Sequence, residues 1–507
     1  MTGLFKKRQH NFADMKWYFI TVIFMIGVLP AKGKDYHYEY TGNCARAYSY
    51  YMSLQPEKGR DMLKKELISD PYNLMATYIS DYDDCLLLLF NGNATDYQQL
   101  KHHQEQRIKL LERGNDSSPW HRLCKAGVYM HWAFVNIRFN ENFKAATNFR
   151  KSYMLLQENK KLFPSFKYND IFLGIEEATV GAMPDNYKWV ASIFGMKGNV
   201  QAGVNKVRDF IKTHDGQDPL YNEAVIYYAY LCFYVLSDKE QAWAIVNNDN
   251  FETENNLVNS FVKCNIALNN RKAGEAVNVL SAASKLPAYS KYPIFEYEYG
   301  YALLHKLDND AITRYRSFLN SYKGSLFIKD AWQKLAFAHY LEGDTKMATY
   351  CKNKIITAGS SSTDSDKQAL RFARQQQWPD KTLLKAQLLT DGGYYKDAYT
   401  LLAKTDTDDY ANRAYKLEYY FRLGRVLDET NRTDAAIEYY NKAITTGKDM
   451  QEQFAARAAL QLGFLYERRH NKEQAIAMYK TALNMENHDF KNSIDQQAKA
   501  GINRLQK

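Results

Sequence analysis

Glycine and proline are scarce, with 25 and 10 copies in 507 residues, against usual shares of roughly 7% and 5%. Collagen-like, linker-rich and turn-dense all-β architectures are thereby disfavoured, and the balance shifts towards helix. Metal-ligand cysteine spacing is missing as well: Cys44, Cys85, Cys124, Cys232, Cys264 and Cys351 lie 32 to 108 residues apart, with no CxxC. Cysteine this sparse does not build a disulfide scaffold. Cys85, Cys232 and Cys264 stand in apolar helical stretches, where a thiol acts as a small buried hydrophobe. Thr41-Gly42-Asn43 ahead of Cys44 is no lipid-attachment sequence.

Concentrated charge and long apolar runs are also lacking. Beyond residue 33 no apolar stretch reaches 18 residues, so nothing there is predicted to span a membrane. Of the formal net charge of +10, residues 1 to 33 account for +4, through five Lys/Arg and Asp14, which leaves +6 for the rest of the chain. No basic run exceeds Lys6-Lys7-Arg8. So weak and dispersed a charge does not suit nucleic acid.

Catalytic and cofactor motifs are absent too: there is no HExxH, GxSxG, GxxxxGK[ST] or GxGxxG. His102 and His103 are sequence neighbours, about 100° apart on a helix, and cannot readily share a metal. His121 and Cys124 could face one side of a helix that also carries His131, but with no third ligand in view an ordinary helix face is expected. The pairs Asp83-Asp84, Glu176-Glu177 and Asp408-Asp409 place carboxylates beside rather than opposite each other, and are expected on solvated helix surface. No catalytic residue, cofactor or metal site is predicted, and the chain is read as non-enzymatic.

What is present begins with a leader. Met15-Lys16, the 13-residue apolar run Trp17 to Leu29 and Pro30-Ala31-Lys32-Gly33 have the order of a secretory signal cleaved after Gly33. The run spans about 20 Å as a helix, short of a roughly 30 Å bilayer core. An uncleaved N-terminal anchor is the alternative. Residues 1 to 14 are a polar extension that a compact signal does not need, so Met15 is a second candidate start.

Apolar residues then recur three and four apart, as in 221–236 and 329–341. Asp70-Pro71, Ser118-Pro119 and Asp218-Pro219, with Tyr292-Pro293 and Trp378-Pro379, are expected at helix starts. Alanines after polar turns recur at 202, 242, 276, 311, 348, 398, 436 and 475; the one long interval holds the polar stretch 359–366, expected in a surface loop. Twelve residues before each stands Val190, Tyr230, Cys264, Tyr299 (beside Gly300), Ala336, Ala386, Gly424 or Gly463. Small residues at both places let two antiparallel helices approach, and bulk four residues after the alanine, as at Leu280, Tyr315, Leu402, Tyr440 and Tyr479, fills the groove between them. The unit is a helical hairpin, and the 40 tyrosines are expected mostly in its core. Gly174, Gly181, Pro184, Gly195, Gly198 and Gly203 are expected where helix ends cross.

Tyr420, Leu423, Gly424, Ala436, Tyr440 and Ala443, followed by Leu462, Gly463, Tyr466, Ala475, Tyr479 and Ala482, carry a resemblance to the tetratricopeptide repeat family. A third copy is 328–355 with Trp332, Leu335, Ala336, Gly343 and Ala348, and a fourth is 382–402 with Ala398. The resemblance implies an all-α fold, an α-solenoid of antiparallel helical hairpins in a right-handed superhelix. The organisation expected is a leader at 1–33, a divergent helical segment at 34–188, degenerate repeats at 189–358, a polar loop at 359–370 and C-terminal repeats at 371–507.

Such an array presents the first helix of each hairpin on its concave side. In the two best copies this places Glu418, Phe421, Arg425 and Asp428, then Arg457, Leu460, Phe464 and Glu467 towards the groove, where arginine beside aromatic rings suits a protein or peptide ligand. The family's carboxylate clamp uses Lys and Asn at comparable positions, from which Phe421 and Arg425 depart. The chain is similar to tetratricopeptide proteins of bacterial envelopes, which implies an exported, non-enzymatic scaffold in the periplasm or cell envelope, binding other proteins or peptides and touching the membrane at most through its leader. A second reading is an extracytoplasmic glycan- or peptide-binding protein with a tyrosine-rich groove.

Overall fold

The computed structural model describes residues 35–183, 195–407 and 410–506. The leader, Pro184, Val190, and Asp408 and Asp409 lie outside the described residues. Among those described the fold is all-α: helices pack mostly against their sequence neighbours, and the one pairing of extended backbone is an isolated bridge between His37 and Asn73. No described helix is long and apolar enough to cross a membrane.

One turn recurs along the chain. Between the two helices of a hairpin one residue has positive φ (Leu54, Asn140, Ser237, Arg271, Leu307, Gly343, Gly393, Asn431, His470). In most of these turns the next N–H bonds back five residues, as in Lys272 to the Ala267 carbonyl (2.8 Å), Tyr394 to Leu389 (2.8 Å) and Asn471 to Tyr466 (2.9 Å). This is the Schellman closure, which satisfies a carbonyl left over at the helix end. Five residues past the turn residue comes a small buried one: Gly59, Ala145, Ala242, Ala276, Ala348, Ala398, Ala436 and Ala475, with Ala311 four past Leu307. The hairpin rule therefore reaches upstream into the divergent segment, in the pairs Gly42–Met52 with Pro56–Ser69 and Pro119–Arg138 with Asn142–Leu162.

The crossings are as close as the small residues suggest. A Cβ on Gly424 would lie 2.8 Å from the Tyr440 ring, and one on Gly300 would lie 3.1 Å from Tyr315, so Gly300 and not Tyr299 is the crossing residue there. Leu280, Tyr315, Leu402, Tyr440 and Tyr479 are fully buried. Gly203 meets the Gly174 carbonyl and Ala178, and Gly198 meets the Gly181 backbone, where the helices Asn169–Gly181 and Val200–Thr213 cross. Ala202 is exposed, so the alignment slips by one here. An alanine and a glycine side by side look alike in a pattern of small residues, and only the helix phase separates them.

The polar stretch at 359–370 is not one loop. Thr363 caps the helix Asp364–Arg374, which buries Ala369 and Phe372. Asp366, fully buried, accepts from the N–H groups of Phe327 (2.9 Å) and Asp330 (3.2 Å) and so caps the neighbouring helix Ile328–Glu342, whose own N-cap residue supplies no side-chain acceptor. Of the five prolines expected at helix starts only Pro119 opens its helix, whereas the helices near the other four begin at Leu74, Tyr221, Ile294 and Lys381. Asn73 and Asp380 are the side-chain caps of two of these.

The expectation of solvated acidic pairs fails for Asp84 and Glu176, which are buried. Asp84 meets Arg107 and His103 at 2.7 and 2.8 Å, and burial pushes Glu176 well above the usual carboxylate range. Neither residue type shows in sequence which neighbouring helix will cover it.

Candidate functional site

The first helices of successive C-terminal hairpins, Lys381–Gly392, Arg413–Glu429 and Phe454–Arg468, form one wall of a groove. Ile328–Glu342 and Asp364–Arg374 flank it on one side, and the last helix, Lys491–Gln506, on the other. It encloses about 1110 Å³. Of the residues placed here from sequence, Glu418, Phe421, Arg425, Arg457 and Leu460 line it together. Phe464 instead packs edge-on against Tyr479, and Glu467 accepts from the Tyr479 hydroxyl (2.5 Å) and from Arg504, joining the last hairpin to the terminal helix. Asp428 pairs with Arg468 at 2.5 Å.

The groove's arginines are mostly held. Arg425 bonds Glu429 and Gln461, each at 2.5 Å, and Glu429 is shared with Arg271. Arg422 donates to Glu418 (2.7 Å) and lies 5.6 Å from the Phe454 ring centre. Between these charges run amides that sequence reasoning did not single out: Gln333, Gln368, Gln387, Gln453, Gln461 and Gln497, with three more at 375–377. Trp378, stacked on Tyr340 at 4.5 Å, and Phe490 add aromatic surface. The glutamine run at 375–377 was visible in sequence, but Gln368, Trp378 and Phe490 come from outside the hairpins' first helices, so no repeat position points to them.

A second cluster is buried at the N-terminal end. Asp81 accepts from His131 Nδ1 and Trp132 Nε1, both at 2.9 Å, and from Arg107 at 3.2 Å. Glu223 accepts from the Tyr82 and Tyr227 hydroxyls, each at 2.5 Å, and faces His131 Nε2 at 3.4 Å. Burial opposes charge on His131, but the two carboxylates outweigh it and raise its pKa to about 9. Asp81 is likewise held below the usual carboxylate range in spite of burial, by His131, Arg107 and Trp132. Cys85 adds a thiol, so that three ligand-type atoms of Asp81, Cys85 and His131 lie within 4.8 Å of one another. The Asp81 oxygens and both His131 nitrogens are already engaged, which makes the cluster a buried ion-pair network joining several helices. His121 and Cys124 do not join His131: His121 meets the Tyr38 hydroxyl and Lys125, and burial beside Lys125 lowers its pKa to about 4.

No curated protein matches the sequence. Residues 417–446 match the family model described as tetratricopeptide repeat. Similar solved structures include a human IFIT1 dimer with m7Gppp-AAAA (11% identity, 93% of this chain and 91% of that one, TM-score 0.30). Others are the TPR domain of P58(IPK) (12%, 84% and 97%, 0.22) and the APC/C hetero-tetramer Cut9-Hcn1 (12%, 91% and 95%, 0.25). The matched segment coincides with the hairpin of Arg413–Glu429 and Thr433–Gly447, whose turn and glycine-on-tyrosine crossing recur along the chain. Residues 417–446 are thus one tetratricopeptide repeat, set in an α-solenoid of helical hairpins.

Proposed function

We propose that this chain is a scaffold that holds other proteins or peptides in the groove of its C-terminal repeats, outside the cytoplasm. The groove carries the reading: it is concave, built from rigid helices, and lined by amides, held arginines and aromatic rings, a mixture suited to an extended chain with both donors and acceptors. The leader sequence supports export, and envelope residence follows from it together with the resemblance noted above.

The test is crosslinking and affinity capture of the natively expressed, tagged chain, beside a variant with Gln368→Trp and Gln497→Trp. Both glutamines are exposed and line the groove, so the added rings should block it without entering the core. Partners that disappear with the blocked groove support the proposal; an unchanged set removes the groove from it. N-terminal sequencing of the captured chain separates export from retention, since a start at Lys34 is expected and an intact leader would overturn cleavage.

A further inference from the structure

Arg457 stands apart from the other guanidiniums of the groove. Arg271 and Arg425 share Glu429, Arg422 holds Glu418, and Arg371 lies 3.9 Å from Asp489. Among the described residues Arg457 makes no ion pair, and the group set against it is the Phe490 ring, 5.6 Å away. Burial pushes its pKa down, with Asp391 opposing and Arg422 and Arg425 adding to the fall. A half-buried cation held in no ion pair is destabilising, and binding an anion against it relieves this.

Phe490 is the second observation. Two guanidiniums converge on its ring, Arg371 at 4.9 Å and Arg457 at 5.6 Å. Its backbone sits at φ +61°, a left-handed conformation that an aromatic residue seldom adopts. Asp489, beside it, turns its carboxylate to Arg371 and ties its N–H to the Gln451 carbonyl (2.9 Å). The chain thus lays an acidic-aromatic pair of its own across the groove's edge. That pair gives a ring to both arginines but a carboxylate to only one.

We propose that the groove takes an extended polypeptide segment in which an acidic residue precedes an aromatic one. The carboxylate seats on Arg457, and the ring replaces Phe490 between Arg371 and Arg457, so that Asp489-Phe490 is an internal stand-in which the ligand displaces. This rests on the peptide-binding reading above and names the side chains read. A polyanion such as a nucleic acid is the poorer fit. The five groove arginines are nearly balanced by Asp391, Glu418, Glu452 and Asp489, and the glutamine amides offer acceptors as well as the donors a phosphate chain needs.

Fluorescence anisotropy with the full chain tests this, using labelled hexapeptides Ser-Gly-Asp-Phe-Gly-Ser, the same with Asn for Asp, and the same with Ala for Phe. The Asp-Phe probe should bind, and each change in the probe should weaken it. Arg457→Gln should weaken the Asp-Phe probe by about tenfold or more, the loss expected of one charge-assisted contact, and leave the Asn probe unaffected. Phe490→Ala should tighten the Asp-Phe probe by several-fold, because the competitor is gone. Equal binding of the Asp and Asn probes would overturn the Arg457 assignment while leaving peptide binding in place. Weaker binding to Phe490→Ala would overturn the stand-in. If none of the hexapeptides binds but a short oligosaccharide or oligonucleotide does, both this inference and the peptide reading fall.

Discussion

The Tyr479 ring occupies the space that a Cβ on Gly463 would need, and its other edge lies 2.5 Å from where a Cβ on Gly501 would stand. One ring is thus gripped between the last hairpin and the terminal helix, while its hydroxyl donates to Glu467 on the groove-forming helix. The ring is fully buried and touches backbone-flanked space on both sides, so it has little room to move.

Gly463→Leu should therefore overpack the crossing and cost about 1–3 kcal/mol or more. Thermal unfolding checks it, and a melting temperature equal to that of the parent would rule out the close crossing. Gly424→Leu, against Tyr440, should behave alike.

The buried His131 makes stability depend on pH. Its pKa in the folded chain is raised to about 9, above the ordinary value of 6.5, so its contribution is fully present below about pH 6.5 and is lost as pH rises through 9. The loss should amount to at most about 3 kcal/mol. Urea midpoints at pH 6 and pH 9.5 would measure it, and His131→Gln should flatten the difference. A parent protein equally stable at both values would contradict the charged histidine.

Asp366→Ala removes the acceptor of the Phe327 and Asp330 N–H groups at the start of Ile328–Glu342, and of the Thr363 hydroxyl at the start of its own helix. A cost of about 1–2 kcal/mol is expected, with faster hydrogen exchange at Phe327 and Asp330. Unchanged exchange at those amides would show that the cap is not made in solution.

His470 is exposed and sits at φ +57° in the turn of the last hairpin. His470→Gly should stabilise by about 0.5–1 kcal/mol, because glycine adopts that conformation without strain. Gly343→Ala and Gly393→Ala, at the same turn position, should do the reverse; for Gly393 the Arg271 carbonyl crowds the added methyl. Melting temperatures that fail to move in opposite directions would argue against a common turn.

Much of the architecture was legible before any coordinates. Helical period, the spacing of the buried alanines and the glycines at 424 and 463 are local properties, and hairpins packed on their sequence neighbours turn local pattern directly into fold. The same locality explains why Glu418, Phe421, Arg425 and Arg457 could be assigned to one face. The hairpins of the divergent segment were hidden because their small buried residues, Gly59 and Ala145, stand 86 positions apart, off the spacing of the later ones, and Gly59 stands where other hairpins have alanine.

Sequence by itself determined the repeating unit, its helix pairing and the residues that touch across each crossing, because these lie within about 40 positions of one another and obey helix geometry. Only the tertiary structure decided the burial of Asp81, His131 and Glu223 against one another, the capping of one helix by Asp366 from the next, and the meeting of Arg371, Arg457 and Phe490 at the groove. Those contacts join residues up to 119 positions apart, as between Arg371 and Phe490 or between His131 and Glu223 at 92. They depend on how successive hairpins rotate about one another, a sum of small angles that no single repeat records.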